Sequence, residues 1–244
     1  MTEIDTSTLQ SLQQRIRQAE QKAGRKLGSS LLVGASKTQN AATVRQFHIS
    51  GLQHFGENYL NEALDKITAL NGLNITWHYI GGIQSNKTKA IAENFDWVHT
   101  IDRLKIAERL SRHLSDYQQS YGSHNSDNDH DKGKVLNVLI QVNLDGEQSK
   151  NGIPPHDVQA LAKELITLPH LKLRGLMSIP KARDNYQHQL DCHLRLAELK
   201  KQLNDKLNLE LDTLSAGMSK DLEAAITAGS TMIRIGTDLF GKRQ

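Results

Sequence analysis

A lysine stands just beyond a short apolar run at residues 31–35. The run is too short for a helix and apolar enough for a buried β-strand, which places Lys37 immediately after a strand end. An amine held there is able to attack a carbonyl carbon and form a Schiff base. Taken alone, an exposed lysine that merely marks the strand end is the simpler interpretation.

A glycine-containing turn near the end of the chain has the composition of an anion-binding site. Gly217 precedes a helical pattern that Ser219 is placed to cap, with Asp221 and Glu223 in its first turn. The N-terminus of a helix presents free N–H groups and the positive end of a dipole to an anion.

The last apolar run carries Arg234 and opens into Gly236 and Thr237, whose amides and hydroxyl can complete a phosphate cup. Each turn alone is compatible with an ordinary capped turn. Together with Lys37 they predict a site for a phosphorylated carbonyl compound that a lysine holds covalently.

Apolar runs and helical patterns alternate along the chain, which indicates an α/β protein. Strands are predicted at residues 31–35, 53–55, 76–80, 97–99, 136–142, 171–176, 211–214 and 232–235. Helices are predicted from residue 6 to about residue 24, and at residues 42–50, 60–67, 90–95, 104–110, 158–165, 190–197 and 222–226.

This alternation favours parallel strands joined by right-handed crossovers. Eight units in 244 residues fit a closed (β/α)8 TIM-type barrel better than an open doubly wound sheet. The whole chain, residues 1–244, is then one domain with an extra N-terminal helix, which covers the strand pair left bare by the absence of a helix after the last strand. The functional face is expected where the strands end, and loops after the seventh and eighth strands of such barrels commonly bind phosphate.

Residues 117–134 interrupt this pattern with a polar, low-complexity segment. Its composition predicts a flexible surface insertion. The segment contains potential metal ligands at His124, Asp127, Asp129, His130 and Asp131. Their spacing is not tied to a structured helix or turn, so a solvated loop is favoured and no metal site is predicted.

Two further polar residues are candidates for the same site. Asn58 lies near the expected mouth of the barrel and can hydrogen-bond a ring oxygen of a ligand, although helix capping accounts for it equally. His78 lies within the third predicted strand, where a lone histidine is more often a core residue than a catalyst.

The composition excludes several classes of protein. Lys and Arg number 30 against 27 Asp and Glu, and a net charge of +3 is too small to indicate nucleic-acid binding. Cys192 is the single cysteine, so an intrachain disulfide is impossible and structural filler is expected. No apolar run approaches membrane-spanning length and no signal peptide is recognised, so a cytoplasmic protein is expected.

Seven segments match the motifs of one family in their order along the chain. They are Ala35-Ser36-Lys37-Thr38, Phe55-Gly56-Glu57-Asn58, Trp77-His78-Tyr79-Ile80-Gly81, Gln141-Val142-Asn143, Arg174-Gly175-Leu176-Met177, Gly217-Met218-Ser219 with Asp221-Leu222, and Arg234-Ile235-Gly236-Thr237. On these motifs the sequence resembles the pyridoxal 5′-phosphate homeostasis protein family.

The resemblance implies a fold like the N-terminal barrel of alanine racemase, with pyridoxal 5′-phosphate held as an aldimine on Lys37. It implies that Ser219, Gly236 and Thr237 hold the phosphate and that Arg234 faces the pyridine nitrogen. The residues expected to contact the cofactor are Lys37, Asn58, His78, Met218, Ser219, Arg234, Gly236 and Thr237.

An arginine opposite the pyridine nitrogen discourages its protonation and makes the ring a poor electron sink. Alanine racemase draws its second acid–base group from an additional β domain, for which a sequence ending at Gln244 leaves no expected room. A non-catalytic role in storage, buffering or delivery of the cofactor is therefore favoured. A weak monomeric amino-acid racemase that uses His78 or a water as second base, and a Schiff-base aldolase acting on a phosphorylated sugar, remain alternatives.

The expected partners are pyridoxal phosphate and the apoenzymes that depend on it, with neither nucleic acid nor membrane. A monomer is expected, because a racemase-like dimer loses its usual partner surface with the missing domain. The resemblance also implies that Lys150 corresponds to a lysine thought to make a second, weaker contact with the cofactor in this family. An exposed loop lysine without such a contact is an equally good interpretation.

Overall fold

The computed structural model describes residues 6–122, 133–147 and 150–241. These residues form a closed barrel of parallel strands in the sequential order β1 to β8, which confirms the predicted (β/α)8 fold. The strands are β1 (Leu31–Ala35), β2 (His54–Glu57), β3 (Thr76–Tyr79), β4 (Trp97–Ile101), β5 (Leu136–Gln141), β6 (Leu171–Met177), β7 (Thr213–Ser215) and β8 (Met232–Ile235). The helices in the described residues are α1 (Ser7–Lys22), α2 (Ala41–Ile49), α3 (Leu60–Ala69), α4 (Thr88–Asn94), α5 (Leu104–Gly122), α6 (Val158–Leu165), α7 (Tyr186–Leu207), α8 (Leu222–Thr227) and α9 (Thr237–Phe240).

The core has two layers because successive side chains of a strand point to opposite faces. Side chains outside the barrel pack under the helices in one large apolar cluster. Those inside form a smaller cluster of Val33, Trp97, Leu139, Met177 and Met232. Polar side chains also lie inside the barrel, among them the buried His78, His99 and Ser215.

The barrel closes where β1 pairs with β8, with Leu31 opposite Met232. Helix α1 packs beside this seam against α8 and α9, and Thr8 Oγ1 donates a 2.7 Å hydrogen bond to the carbonyl of Leu239. The expectation that no helix follows the last strand was wrong, since α9 makes one turn there. The seam is therefore covered by α1 and α9 together.

Two element boundaries in the structure differ from the predicted ones. Strand β7 lies at Thr213–Ser215 and not at residues 211–214, which brings Ser215 into the strand. Helix α5 continues to Gly122, where a surface insertion beginning at residue 117 was predicted. Its last turns are fastened by a 2.8 Å hydrogen bond from Gln118 Nε2 to the carbonyl of Lys134. The candidate metal ligands of this segment lie at residues 124–131, outside the described residues.

No helix in the described ranges is long and apolar enough to cross a membrane. Across the same residues, no group of three or more His, Cys, Asp or Glu side chains is placed to hold a metal ion.

Candidate functional site

A cavity of about 340 Å³ opens at the C-terminal ends of the strands. Seven of the eight residues predicted to contact the ligand line it together: Lys37, Asn58, Met218, Ser219, Arg234, Gly236 and Thr237. They come from the loops that follow β1, β2 and β7 and from the end of β8, so the barrel brings together residues from both ends of the sequence.

Lys37 lies half-buried at the rim of this cavity, one residue after the fully buried Ser36. No carboxylate in the described part of the chain forms an ion pair with its amine. The next residue, Thr38, has a φ of 68°, a conformation that a β-branched residue rarely adopts. Strain of this kind persists only where the surrounding structure imposes it, and it concentrates at functional sites.

A buried ion pair lies beside the lysine loop. Lys66 Nζ is 2.6 Å from Glu57 Oε1 and donates a second hydrogen bond, 2.8 Å long, to the carbonyl of Ser36. Ser36 Oγ also donates to Glu57 Oε1. Burial raises the pKa of Glu57, and the attraction of Lys66 opposes that rise. The cluster fixes the end of β1, and therefore the residue from which Lys37 projects.

The turn after β7 depends on a glycine. Gly217 has a φ of 95°, and a Cβ placed on it would lie 2.6 Å from the Cβ of Ala225. The prediction that Ser219 caps the following helix was wrong, because α8 begins at Leu222 and Asp221 occupies the N-cap position. The carboxylate of Asp221 instead accepts a 2.7 Å hydrogen bond from the amide of Met218, which closes the turn.

Three residues that line the cavity, one after β7 and two after β8, have backbone amides without a backbone acceptor among the described residues. The amides of Ser219, Gly236 and Thr237 donate to no other backbone group in the described residues. Unpaired N–H groups that converge on a cavity make a site for an anion such as phosphate.

Arg234 lies at the inner end of the cavity and is 5% exposed. Its Nη1 donates to Ser215 Oγ and its Nη2 donates to the carbonyl of Ser178 at 3.0 Å. Burial lowers the pKa of the guanidinium to about 10, and Asp221 opposes this effect. The group therefore stays charged at neutral pH and keeps further N–H donors for a ligand.

Buried side-chain atoms that lack a hydrogen-bond partner gather around the same end of the barrel. Among the described residues they are Glu57 Oε2, Asn58 Oδ1, Ser178 Oγ and His193 Nδ1. Buried polar atoms are nearly always paired in folded proteins, so the unpaired Asn58 Oδ1 and His193 Nδ1, which belong to residues of the cavity wall, indicate a bound ligand or water. Together with the free amides and the unpaired amine, the residues present fit a phosphorylated carbonyl compound.

The wall on the α7 side of the cavity was not anticipated from the sequence. His193 is 2% exposed, and its Nε2 lies 2.9 Å from Asp221 Oδ2. The neighbouring Cys192 also lines the cavity, and burial raises the pKa of its thiol. The helical spacing of these residues indicated only that α7 packs on the barrel; the pairing with Asp221 depends on the turn after β7.

His78 is the one predicted contact that the structure does not bring to the cavity. Its side chain is fully buried inside the barrel, and both ring nitrogens are engaged, by His54 at 3.0 Å and by His99 at 2.9 Å. We therefore correct the expected contact: His78 does not line the cavity, because its side chain lies in the barrel interior below it. Lys150 also lies away from the cavity, and its Nζ pairs with Glu147 at 3.0 Å.

Comparison with known proteins identifies similar sequences. The family model of the alanine racemase N-terminal domain matches residues 7–244. The pyridoxal phosphate homeostasis protein of Pseudomonas aeruginosa is 52% identical over 229 residues, which cover 94% of this chain and 91% of that protein. The protein of the same name from Escherichia coli K12 is 41% identical over 240 residues, covering 96% and 95% respectively.

Comparison with solved structures identifies proteins of the same fold. PipY from Synechococcus elongatus, in a structure with PLP bound, is 32% identical, with a TM-score of 0.77 over 93% of this chain and 100% of that one. Alanine racemase from Corynebacterium glutamicum is 17% identical, with a TM-score of 0.63 over 99% of this chain and 62% of that one. The second likeness concerns the fold alone.

Proposed function

Because this chain belongs to the alanine racemase N-terminal domain family, and within it to the pyridoxal phosphate homeostasis proteins, we propose that it binds pyridoxal 5′-phosphate (PLP) as a Schiff base on Lys37. Its role is then to store, buffer or deliver the cofactor inside the cell. The observation that carries the proposal is the arrangement of one cavity, in which an amine without an ion pair lies with the free amides of the two phosphate-type turns.

Each wall of the cavity has a separate task in this proposal. The amides of Ser219, Gly236 and Thr237 hold the phosphate, while Lys37 condenses with the aldehyde and water leaves. Asn58, whose Oδ1 is buried without a partner among the described residues, hydrogen-bonds the ring in this proposal, and Met218 forms part of the cavity wall.

Arg234 argues against reactions that need PLP as a strong electron sink, although a poor electron sink is compatible with a racemase. PLP supplies an electron-withdrawing ring when its pyridine nitrogen is protonated, and a charged arginine beside that nitrogen opposes protonation. A racemase would also need a second acid–base group at the cavity. His78, the candidate from the sequence, is fully buried inside the barrel and is not part of the cavity wall.

The proposal is tested by the visible absorption spectrum of the purified protein with added PLP, before and after borohydride reduction. We expect a yellow protein whose reduced adduct maps to the peptide of Lys37. Lys37→Ala should abolish the colour, whereas Lys181→Ala, which removes another amine from the same cavity wall, should keep it. A protein that stays colourless with PLP would contradict the proposal and favour the aldolase acting on a phosphorylated sugar.

The non-catalytic role has its own test. Exchange of the α-hydrogen of amino acids in deuterated water should not exceed the rate given by free PLP. Exchange that depends on the protein and is lost in Lys37→Ala would support the racemase instead.

The remaining expectations concern partners and assembly. Apoenzymes that depend on PLP are the proposed recipients, the proposed compartment is the cytoplasm, and the proposed state is a monomer. Transfer is measured by activation of an apoenzyme with the loaded protein in the presence of a trap for free PLP. Light scattering measures the mass, and a dimer would contradict the monomer.

A further inference from the structure

A chain of hydrogen bonds crosses the inside of the barrel below the cavity. His54 Nδ1 lies 3.0 Å from His78 Nε2, and His78 Nδ1 lies 2.9 Å from His99 Nε2. His99 Nδ1 then lies 2.9 Å from Ser215 Oγ, which accepts a hydrogen bond from Arg234 Nη1. The chain therefore joins Arg234 at the cavity to His54, which lines a separate cavity that the N-terminal end of β1 also borders.

Arginine sets one end of this chain of hydrogen bonds, because a guanidinium donates hydrogen bonds and accepts none. Since Arg234 donates to Ser215 Oγ, the serine hydroxyl is free to donate to His99 Nδ1. His99 then carries its proton on Nε2 and donates to His78, which in turn donates from Nε2 to His54. In the opposite direction, the Ser215 hydroxyl proton would have no acceptor in the chain.

The surroundings keep the interior histidines uncharged. His78 and His99 are both fully buried, and burial holds the pKa of each well below its ordinary value. The nearby Arg234 lowers the pKa of His99 further. His78 also stacks on Trp97 with their ring planes 14° apart, which fixes the middle of the chain.

We propose that Ser215 and His99 are positioning residues for Arg234, and that the chain of neutral histidines holds the guanidinium in one orientation toward the ligand. Ser215 Oγ and the carbonyl of Ser178 are the two acceptors that set this orientation, one on Nη1 and one on Nη2. His99 maintains the first of them because its Nδ1 accepts a hydrogen bond from the serine hydroxyl. The part of the proposal that concerns PLP rests on the proposed function. The direction of the hydrogen bonds from Ser215 to His54 does not depend on it.

The direction of the chain is measured on the protein without PLP. Long-range ¹H–¹⁵N NMR of histidine side chains distinguishes the two neutral tautomers from the imidazolium ion. We expect His78 and His99 to be neutral and protonated at Nε2 from about pH 5 to 8, the range in which free histidine changes charge. Protonation at Nδ1, or an imidazolium at His99, would overturn the proposal whether or not the protein binds PLP.

The positioning role is measured on the protein with PLP, by its absorption spectrum and its affinity. Ser215→Ala and His99→Leu should shift the absorption maximum and weaken binding about threefold to tenfold, as expected for a lost hydrogen bond. His99→Gln should restore both, because a carboxamide accepts and donates as a neutral imidazole does. Ser111→Ala is the matched control, since the hydroxyl of this buried serine donates to the carbonyl of Pro169 on the outer side of the barrel.

The outcomes separate the two proposals. Wild-type spectra and affinity in Ser215→Ala and His99→Leu would overturn the positioning role and leave PLP binding intact. A wild-type protein that binds no PLP would overturn the proposed function, while the tautomers would still report the direction of the chain.

Discussion

Replacing Lys66 with methionine tests how the buried ion pair supports the lysine loop. The side chain of Glu57 is 0% exposed and that of Lys66 is 6% exposed, so the variant leaves a carboxylate without its cation in a dry environment. Removing one partner of a buried pair costs about 3–5 kcal/mol. In a chain of this size each kcal/mol lowers Tm by about 2–4 °C, so we expect Tm to fall by about 6–20 °C. Urea unfolding at neutral pH measures the loss.

The loss should become smaller in acid. Burial raises the pKa of Glu57 in the folded state, and Lys66→Met removes the cation that opposes this rise. Between the ordinary pKa of a glutamate and this raised value the folded state binds more protons than the unfolded chain, so stability increases as the pH falls. Glu57→Gln combined with Lys66→Met is the control, because it removes the charge and should recover part of the stability without the pH dependence. A single variant as stable as the wild type, or one that does not recover in acid, would refute this account of the pair.

Two further substitutions and one measurement of thiol reactivity test other parts of the structure. Gly217→Ala should destabilise the fold by about 1–3 kcal/mol in urea unfolding, because the new Cβ would meet Ala225 in a backbone conformation that favours glycine; an unchanged midpoint would contradict the packing of this turn. Arg15→Ala should cost less than about 1 kcal/mol by the same measurement, because its pair with Glu223 is more than one-third exposed; a larger loss would show that α1 depends on this contact. Cys192 should react slowly with a thiol reagent in the native state and quickly in urea, because burial raises the pKa of its thiol; equal rates would contradict the burial of this side chain.

The sequence predicts the parts of the site that depend on one strand end at a time. Lys37 follows an apolar run, and Arg234 lies in another, so both positions could be derived from local composition. Parallel pairing of β1 with β8 then places them at one cavity, as a barrel requires. The resemblance to a family supplied the identity of the ligand, which neither position specifies.

The parts that sequence reasoning missed depend on register and on the interior of the barrel. His78 contacts His54 and His99 because the register of β2, β3 and β4 brings their inward faces together, and composition does not encode that register. The Glu57–Lys66 pair joins the end of β2 to the buried face of α3, and neither segment alone indicates it. The extent of α5 was missed because its last turns are polar, and tertiary contacts rather than a hydrophobic stripe hold them.

The seam between β1 and β8 also has a consequence for how the protein folds. Leu31 pairs with Met232, and Thr8 bonds to Leu239, so the contacts that close the barrel join segments that are distant in sequence. Pairings of this kind close large loops and form slowly. During synthesis the segment with Lys37 emerges long before its partner strand exists. The cavity is assembled only when the ring of strands closes, so a ligand that joins Lys37 to the turn after β8 stabilises the closed ring and slows its reopening.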